Sequence, residues 1–199
     1  MEKIDGERIL LFLHGTASST WGSFGDLWSE ARRGELNRIR SCYQGNVYAF
    51  EHRSLTESPI ENARDLVSCL AALPKDTTVD LVSHSRGGLV GELLCRVTTL
   101  GRENGNPNRA AAFDERDFAL FNAAPEQAGN RAALQALAVA LGNARFRIGR
   151  FVRVACPALG TTLASRKLDR WLSVVGSVAK AAGLNSPLGE AFQDIGEFV

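Results

Sequence analysis

Short apolar runs alternate along the chain with longer stretches in which apolar positions recur every three or four residues. Ile9-Leu10-Leu11-Phe12-Leu13 is apolar throughout, as a strand buried on both faces should be. Asn46 to Phe50, Val79 to Ser83 and Phe151 to Cys156 read as three further strands, the last stopped by Pro157. Between them, Ile60, Ala63, Leu66, Val67, Leu70 and Leu73 keep helical spacing, as do Leu89, Val90, Leu93, Leu94, Val97 and Leu100. Strand, helix, strand, helix at this rhythm predicts an α/β fold: a doubly wound, mostly parallel sheet flanked by helices.

Local signals sharpen the boundaries. Gly15 to Gly25 is rich in Gly, Ser and Thr and reads as a loop, followed by a helix with Leu27, Trp28 and Ala31 on one side that ends near Gly34. Ser58-Pro59-Ile60-Glu61 is a capping box with proline at the first helical position, so a helix starts there; Pro74 closes it. Gly101 to Pro107 is dense in turn formers and reads as a mobile loop, while residues 114–124 fit helix or extended chain equally. Pro125 to Ala144 reads as a helix, and Leu168, Trp171, Leu172, Val175, Val178 and Ala182 mark an amphipathic one ending at Gly183. The expectation is a single domain over 1–199, with its core in 8–165 and a candidate cap or lid helix in 166–183.

Composition removes several functional classes. An apolar content of 45% over 199 residues is that of a folded domain, not a disordered chain. A net charge of +1 gives no support for a polyanion-binding surface, and Arg145, Arg147, Arg150 and Arg153 read as a solvated helix end and strand flank; no nucleic-acid partner is expected. Cys42, Cys69, Cys95 and Cys156 are scattered, without C-x-x-C or paired histidine, and read as ordinary buried thiols in a reducing compartment, with no metal site. No apolar run is long enough for a signal sequence or a membrane span, so a soluble, cytoplasmic protein without a transmembrane segment is expected. Neither G-x-x-x-x-G-K-[ST] nor G-x-G-x-x-G follows a strand, and no cofactor is expected.

The chemistry is concentrated in Val79-Asp80-Leu81-Val82-Ser83-His84-Ser85-Arg86-Gly87-Gly88. A strand runs directly into a helix through Ser-His-Ser-Arg-Gly, which is G-x-S-x-G with serine replacing the first glycine. In such a nucleophile elbow the central serine occupies a sharp, strained turn that lifts its hydroxyl above the sheet. Small residues are needed two positions before and two after, and Ser83 and Gly87 satisfy that. Ser85 also sits at a helix N-terminus, where free N–H groups favour developing negative charge.

A second element is Leu11-Phe12-Leu13-His14-Gly15-Thr16, with His-Gly at the end of the first strand. With it the sequence resembles the α/β-hydrolase superfamily, in its lipase- and esterase-like branch. The resemblance implies that Ser85 is the nucleophile of an acyl transfer, attacking a small-molecule ester, thioester or amide. It implies oxyanion donors at the backbone N–H of Thr16 or Gly15 and of Arg86, with His14 orienting the loop and not serving as base. Val154-Ala155-Cys156-Pro157-Ala158-Leu159-Gly160-Thr161-Thr162 is similar to the turn after the next strand of lipase-like members, with Cys156 where threonine is usual. Together these segments are most similar to bacterial relatives of lipases and of inositol-deacylase-type esterases.

The pattern breaks at the base. In the resembled fold the acid and the histidine follow the serine, in that order. The three histidines here are His14, His52 and His84, and none follows Ser85. His84 is the elbow's own neighbour and is expected to point away from the hydroxyl. His52 lies just beyond the second strand, where it lines a pocket or is a solvated loop residue; as general base it is topologically unusual in this fold, and the base is expected to be missing from this chain. Asp169, Glu190, Asp194 and Glu197 are the late carboxylates and read as helix-surface charges. Three explanations remain open: a chain cut from a longer hydrolase, a partner chain or further domain that completes the fold, or a catalytically silent binding module. Trp21 and Trp28, around the His-Gly loop, line a pocket or fill the core.

Overall fold

The chain divides into two units, Met1–Cys156 and Pro157–Val199. A computed structural model describes residues 8–99, 112–121 and 128–156, all within the first unit. The elements run β1 (Arg8–Leu13), α1 (Thr20–Trp28), a single 3-10 turn (Glu30–Arg32), α2 (Arg33–Cys42), β2 (Val47–Phe50), α3 (Pro59–Leu70), β3 (Thr78–His84), α4 (Gly87–Thr99), α5 (Glu115–Ala119), α6 (Ala128–Gly142) and β4 (Arg147–Val154). The four strands form one sheet in the order β2-β1-β3-β4, and all three pairings are parallel. The fold is α/β.

The central strands β1 and β3 are covered on both faces, which is why Ile9 to Leu13 is apolar throughout and β3 is buried from Thr78 to Leu81. One face carries Ile9, Leu11, Leu13, Val79 and Leu81, buried against Ala63, Leu66 and Val67 of α3, Val90 and Leu94 of α4, and Leu134, Leu137 and Leu141 of α6. On the other, Phe12 meets the rings of Phe24 and Trp28 of α1 edge-on, with centroids 5.0 and 5.2 Å away. Trp28 therefore fills the core, whereas Trp21 is 68% exposed and neither fills it nor is covered.

A polar anchor closes the N-terminal side of the sheet. Asp80, on β3, is buried and accepts from Arg8 Nε at 2.8 Å and Nη2 at 3.0 Å, from Tyr43 Oη at 2.7 Å and from the Arg150 backbone N–H at 2.7 Å. Such a charge is tolerable inside because each carboxylate oxygen is paired. Burial alone would raise its pKa, but the bonds from Arg8, Tyr43 and Arg150 outweigh it and hold the carboxyl below the ordinary range.

Several expectations need correction. The loop after β1 is short: Ser19 caps α1 by accepting from the Gly22 N–H, so Thr20 to Gly25 is helical despite its Gly and Ser content. The helix does not run on to Gly34 but breaks at Ser29, and Gly34 lies within α2, a mostly polar helix whose buried residue is Leu36. The capping box at Ser58 forms as expected, yet α3 stops at Leu70, before Pro74 can act. Residues 114–124 resolve in part into α5, capped by Asp114, whose carboxylate accepts from Arg116 and Asp117 N–H. Strand β4 starts at Arg147, four residues earlier than its apolar run, and ends at Val154. Cys42 and Cys69 are exposed, not buried. The Gly101–Pro107 loop, the turn after Pro157 and the 166–183 helix lie outside the described residues.

Candidate active site

The sheet order places a switch between β1 and β3: the chain leaves β1 toward β2 on one side and leaves β3 toward β4 on the other. In open parallel sheets the crevice beyond the carboxyl ends of two such strands is where ligands bind. Here those ends carry His14-Gly15-Thr16 on β1 and His84-Ser85-Arg86 on β3.

Ser85 has φ +50°, in the left-handed region that a residue with a Cβ occupies only at a cost. Its N–H donates to Val154 O at 2.9 Å, prolonging the β3–β4 ladder by one rung, and its own carbonyl accepts from the Gly88 N–H at 3.0 Å as α4 begins. The turn is thus held from both sides. Crowding around it is severe. A Cβ on Gly87 would lie 2.5 Å from the carbonyl oxygens of Leu13 and His14, and one on Gly88 would lie 2.3 Å from Cys156 Sγ. Ser83 is fully buried, with its hydroxyl 3.3 Å from Cys156 Sγ. Gly15 packs against the serine: a Cβ there would be 3.1 Å from Ser85 Cβ and 3.1 Å from His84 Nδ1.

The loop after β1 is held by its neighbours. Gly15 N–H donates to Ser23 Oγ at 3.1 Å, and Ala17 N–H donates to Ser54 Oγ at 3.1 Å. The Gly15 amide is therefore committed to α1, and of the two donors expected in this loop only Thr16 stays available. Among the described residues no hydrogen bond engages the Thr16 or Arg86 N–H. His14 is buried and uses both ring nitrogens: Nε2 accepts from the His52 N–H at 3.1 Å, so Nδ1 carries the proton and donates to Gly15 O at 2.9 Å. One imidazole thus ties the end of β1 to the segment after β2.

All three histidines collect at this edge. His52 is half-buried and stacks on His14 with ring centroids 3.9 Å apart, and also on Phe50. Its Nδ1 lies 3.4 Å from Phe50 O, and its Nε2 is buried without a hydrogen-bond partner. Burial, with the nearby His14 and Arg86, pushes its pKa down to about 4. His84 has its ring beside Phe24 of α1, with centroids 6.4 Å apart and Nδ1 likewise unpartnered. Trp21 is exposed on α1.

Two further contributors were not evident from the sequence. The Arg86 guanidinium donates to the carbonyls of Ser54 and Glu57, so the residue after Ser85 grips the β2–α3 loop. Glu51 Oε1 accepts from the Thr20 N–H at 2.8 Å, and its other oxygen lies 3.5 Å from His14 Nε2. Burial opposes ionisation of Glu51, but the Thr20 bond and the two histidines leave its pKa below normal. The only advance signal was the position of both residues at the ends of strands. Among the described residues no group of three or more His, Cys, Asp or Glu is arranged to hold a metal ion, and no helix is long and apolar enough to cross a membrane.

Residues 1–112 match the model of a family described as a domain of unknown function, DUF7379, and the chain belongs to that family. The matched span carries β1, β2 and β3, with His14, Gly15, His52, Ser85 and Arg86. No curated protein matches the chain.

Proposed function

We propose that this chain is a serine hydrolase of the lipase/esterase type, built on an α/β-hydrolase-like sheet and acting on a small-molecule acyl ester, thioester or amide. The observation that carries the reading is Ser85: a non-glycine residue at φ +50° on a strand-to-helix turn, at the switch point, under a loop whose glycine sits against its Cβ. Strain of this kind persists where surrounding structure enforces it, and it clusters at reactive residues.

Ser85 Oγ attacks the carbonyl carbon, its proton passes to a base, and the carbonyl π pair becomes an oxyanion facing the Thr16 and Arg86 N–H groups. Collapse expels the alkoxide, thiolate or amine, which takes up the proton. Water then repeats the sequence on the acyl-serine and releases the carboxylic acid. No histidine follows Ser85 in these 199 residues. A reducing, cytoplasmic setting suits four scattered cysteines without a C-x-x-C pair.

A second reading is a catalytically silent module that binds a partner. It is favoured by one observation: among the described residues no side chain hydrogen-bonds the Ser85 hydroxyl. A fluorophosphonate probe separates the two readings. Covalent labelling at Ser85, lost in Ser85→Ala, is the expected result; no labelling of the folded wild-type chain under any condition would establish the silent module.

A further inference from the structure

Resting on the reading of Ser85 as nucleophile, we propose that His52, carried by the segment after β2, accepts the Ser85 proton through Nε2. Three observations converge on it. First, of the three histidines at the edge, His14 has both nitrogens engaged, and His84, whose Nδ1 is also unpartnered, has its ring beside Phe24 of α1. His52 has a free, buried Nε2.

Second, its tautomer is set. Nδ1 faces the Phe50 carbonyl, which can only accept, so Nδ1 holds the proton and Nε2 presents a lone pair. A backbone carbonyl here takes the orienting role that a carboxylate plays in a Ser-His-Asp arrangement. Third, His52 is bound to the serine's surroundings on two sides. Its ring rests on His14, whose neighbour Gly15 packs against Ser85, and the loop that carries it is gripped at Ser54 and Glu57 by Arg86, the residue next to Ser85.

The step balances simply. The Oγ–H bond breaks as the Oγ–carbon bond forms, the proton moves to Nε2, and the resulting imidazolium returns it to the leaving group. Among the described residues Nε2 has no hydrogen-bond partner, so its bond to Oγ forms only when substrate enters, as catalytic hydrogen bonds often do. The groups that set the titration of His52 are His14 stacked on it, Arg86 from the elbow and Glu51 beside it in the chain. The first two disfavour its charged form in the resting site. The oxyanion that develops in the reaction offsets that penalty.

The test uses the full chain and a fluorophosphonate, with the rate of Ser85 labelling followed by mass spectrometry. His52→Gly is expected to slow labelling by about 100-fold or more, the usual scale for loss of a proton acceptor, and added imidazole is expected to restore much of it. In wild type the rate should climb with pH through a low apparent pKa, and that limb should vanish in His52→Gln. Wild-type rates in either variant, or a slowing in His52→Gly that imidazole does not relieve, would overturn the role of His52. Should His52→Gly fail to fold, His52→Gln decides by rate and pH profile. A wild-type chain that never labels sinks the hydrolase reading itself, and the role of His52 with it.

Discussion

Gly87 lies directly against the end of β1: a methyl group on it would stand 2.5 Å from Leu13 O. The helix after the elbow and the strand before the His-Gly loop are therefore in backbone contact, and that contact determines how close Gly15 and Ser85 come. Gly87→Ala should force the two apart at a cost of about 1–3 kcal/mol, the range for overpacking a filled site. Urea denaturation measures it, and a neutral result would show that the contact is soft.

Relief of strain works in the opposite direction. Ser85 pays for its left-handed backbone about 1 kcal/mol that glycine would not. Ser85→Gly should therefore be more stable than Ser85→Ala by that amount, although both lack the hydroxyl. Equal midpoints for the two variants in thermal unfolding would remove strain from the account of the elbow.

Arg86 holds two carbonyls with one guanidinium. Arg86→Ala leaves the Ser54 and Glu57 carbonyls without their donor and should lower stability by about 2 kcal/mol, typical of hydrogen bonds to a charged group. Arg86→Lys should recover only part, since a single ammonium lacks the fork. Hydrogen exchange should rise first in residues 51–58.

The Asp80 anchor makes opposite predictions at the two ends of the pH scale. Its carboxyl is held below the ordinary value, so its contribution is complete above about pH 4 and fades as pH falls through the depressed pKa. Tyr43, raised to about 12 by burial and by its bond to Asp80, contributes fully below its unfolded value of 10.0 and loses that contribution between 10.0 and about 12. Asp80→Ala, which strands Arg8, should cost about 3 kcal/mol, abolish the acid limb and shrink the alkaline one, which burial of Tyr43 also sustains. A pH–stability profile of the variant unchanged at both ends would contradict this.

Thiol reagents should sort the cysteines. Cys42 and Cys69 are exposed, whereas burial pushes the Cys95 thiol up to about 11. Alkylation near neutral pH should modify Cys42 and Cys69 well before Cys95, as read by mass spectrometry of the intact chain.

The parts of this fold that could be read from sequence are those where one local rule acts alone. The apolar run of β1 is unbroken because both its faces are covered, and the Ser58 capping box is a self-contained four-residue device. Strand β4 was misplaced because Arg147, Gly149 and Arg150 do not look like strand, yet Gly149 is small where Asp80 approaches and Arg150 lends its backbone N–H to that carboxylate. The Thr20–Gly25 helix was hidden behind loop-forming residues that tertiary packing on Phe12 overrides. At the site, Ser85 and Gly15 were legible as a motif. The grip of Arg86 on the β2–α3 loop and the stacking of His52 on His14 were not, because they join residues with no fixed spacing in the chain.

The pairing of β1 with β3 also has a kinetic meaning. Arg8 and Asp80 are 72 positions apart, and the strands they open must find each other in parallel register before Gly15 meets Ser85. Such long loop closure is slow compared with the formation of any helix here. Until it happens, Gly15 is not in place against Ser85. Maturation of the elbow is thus a late event in the folding of this chain, and the bond from Arg8 to Asp80, formed in the same closure at the opposite end of the strands, is its natural reporter.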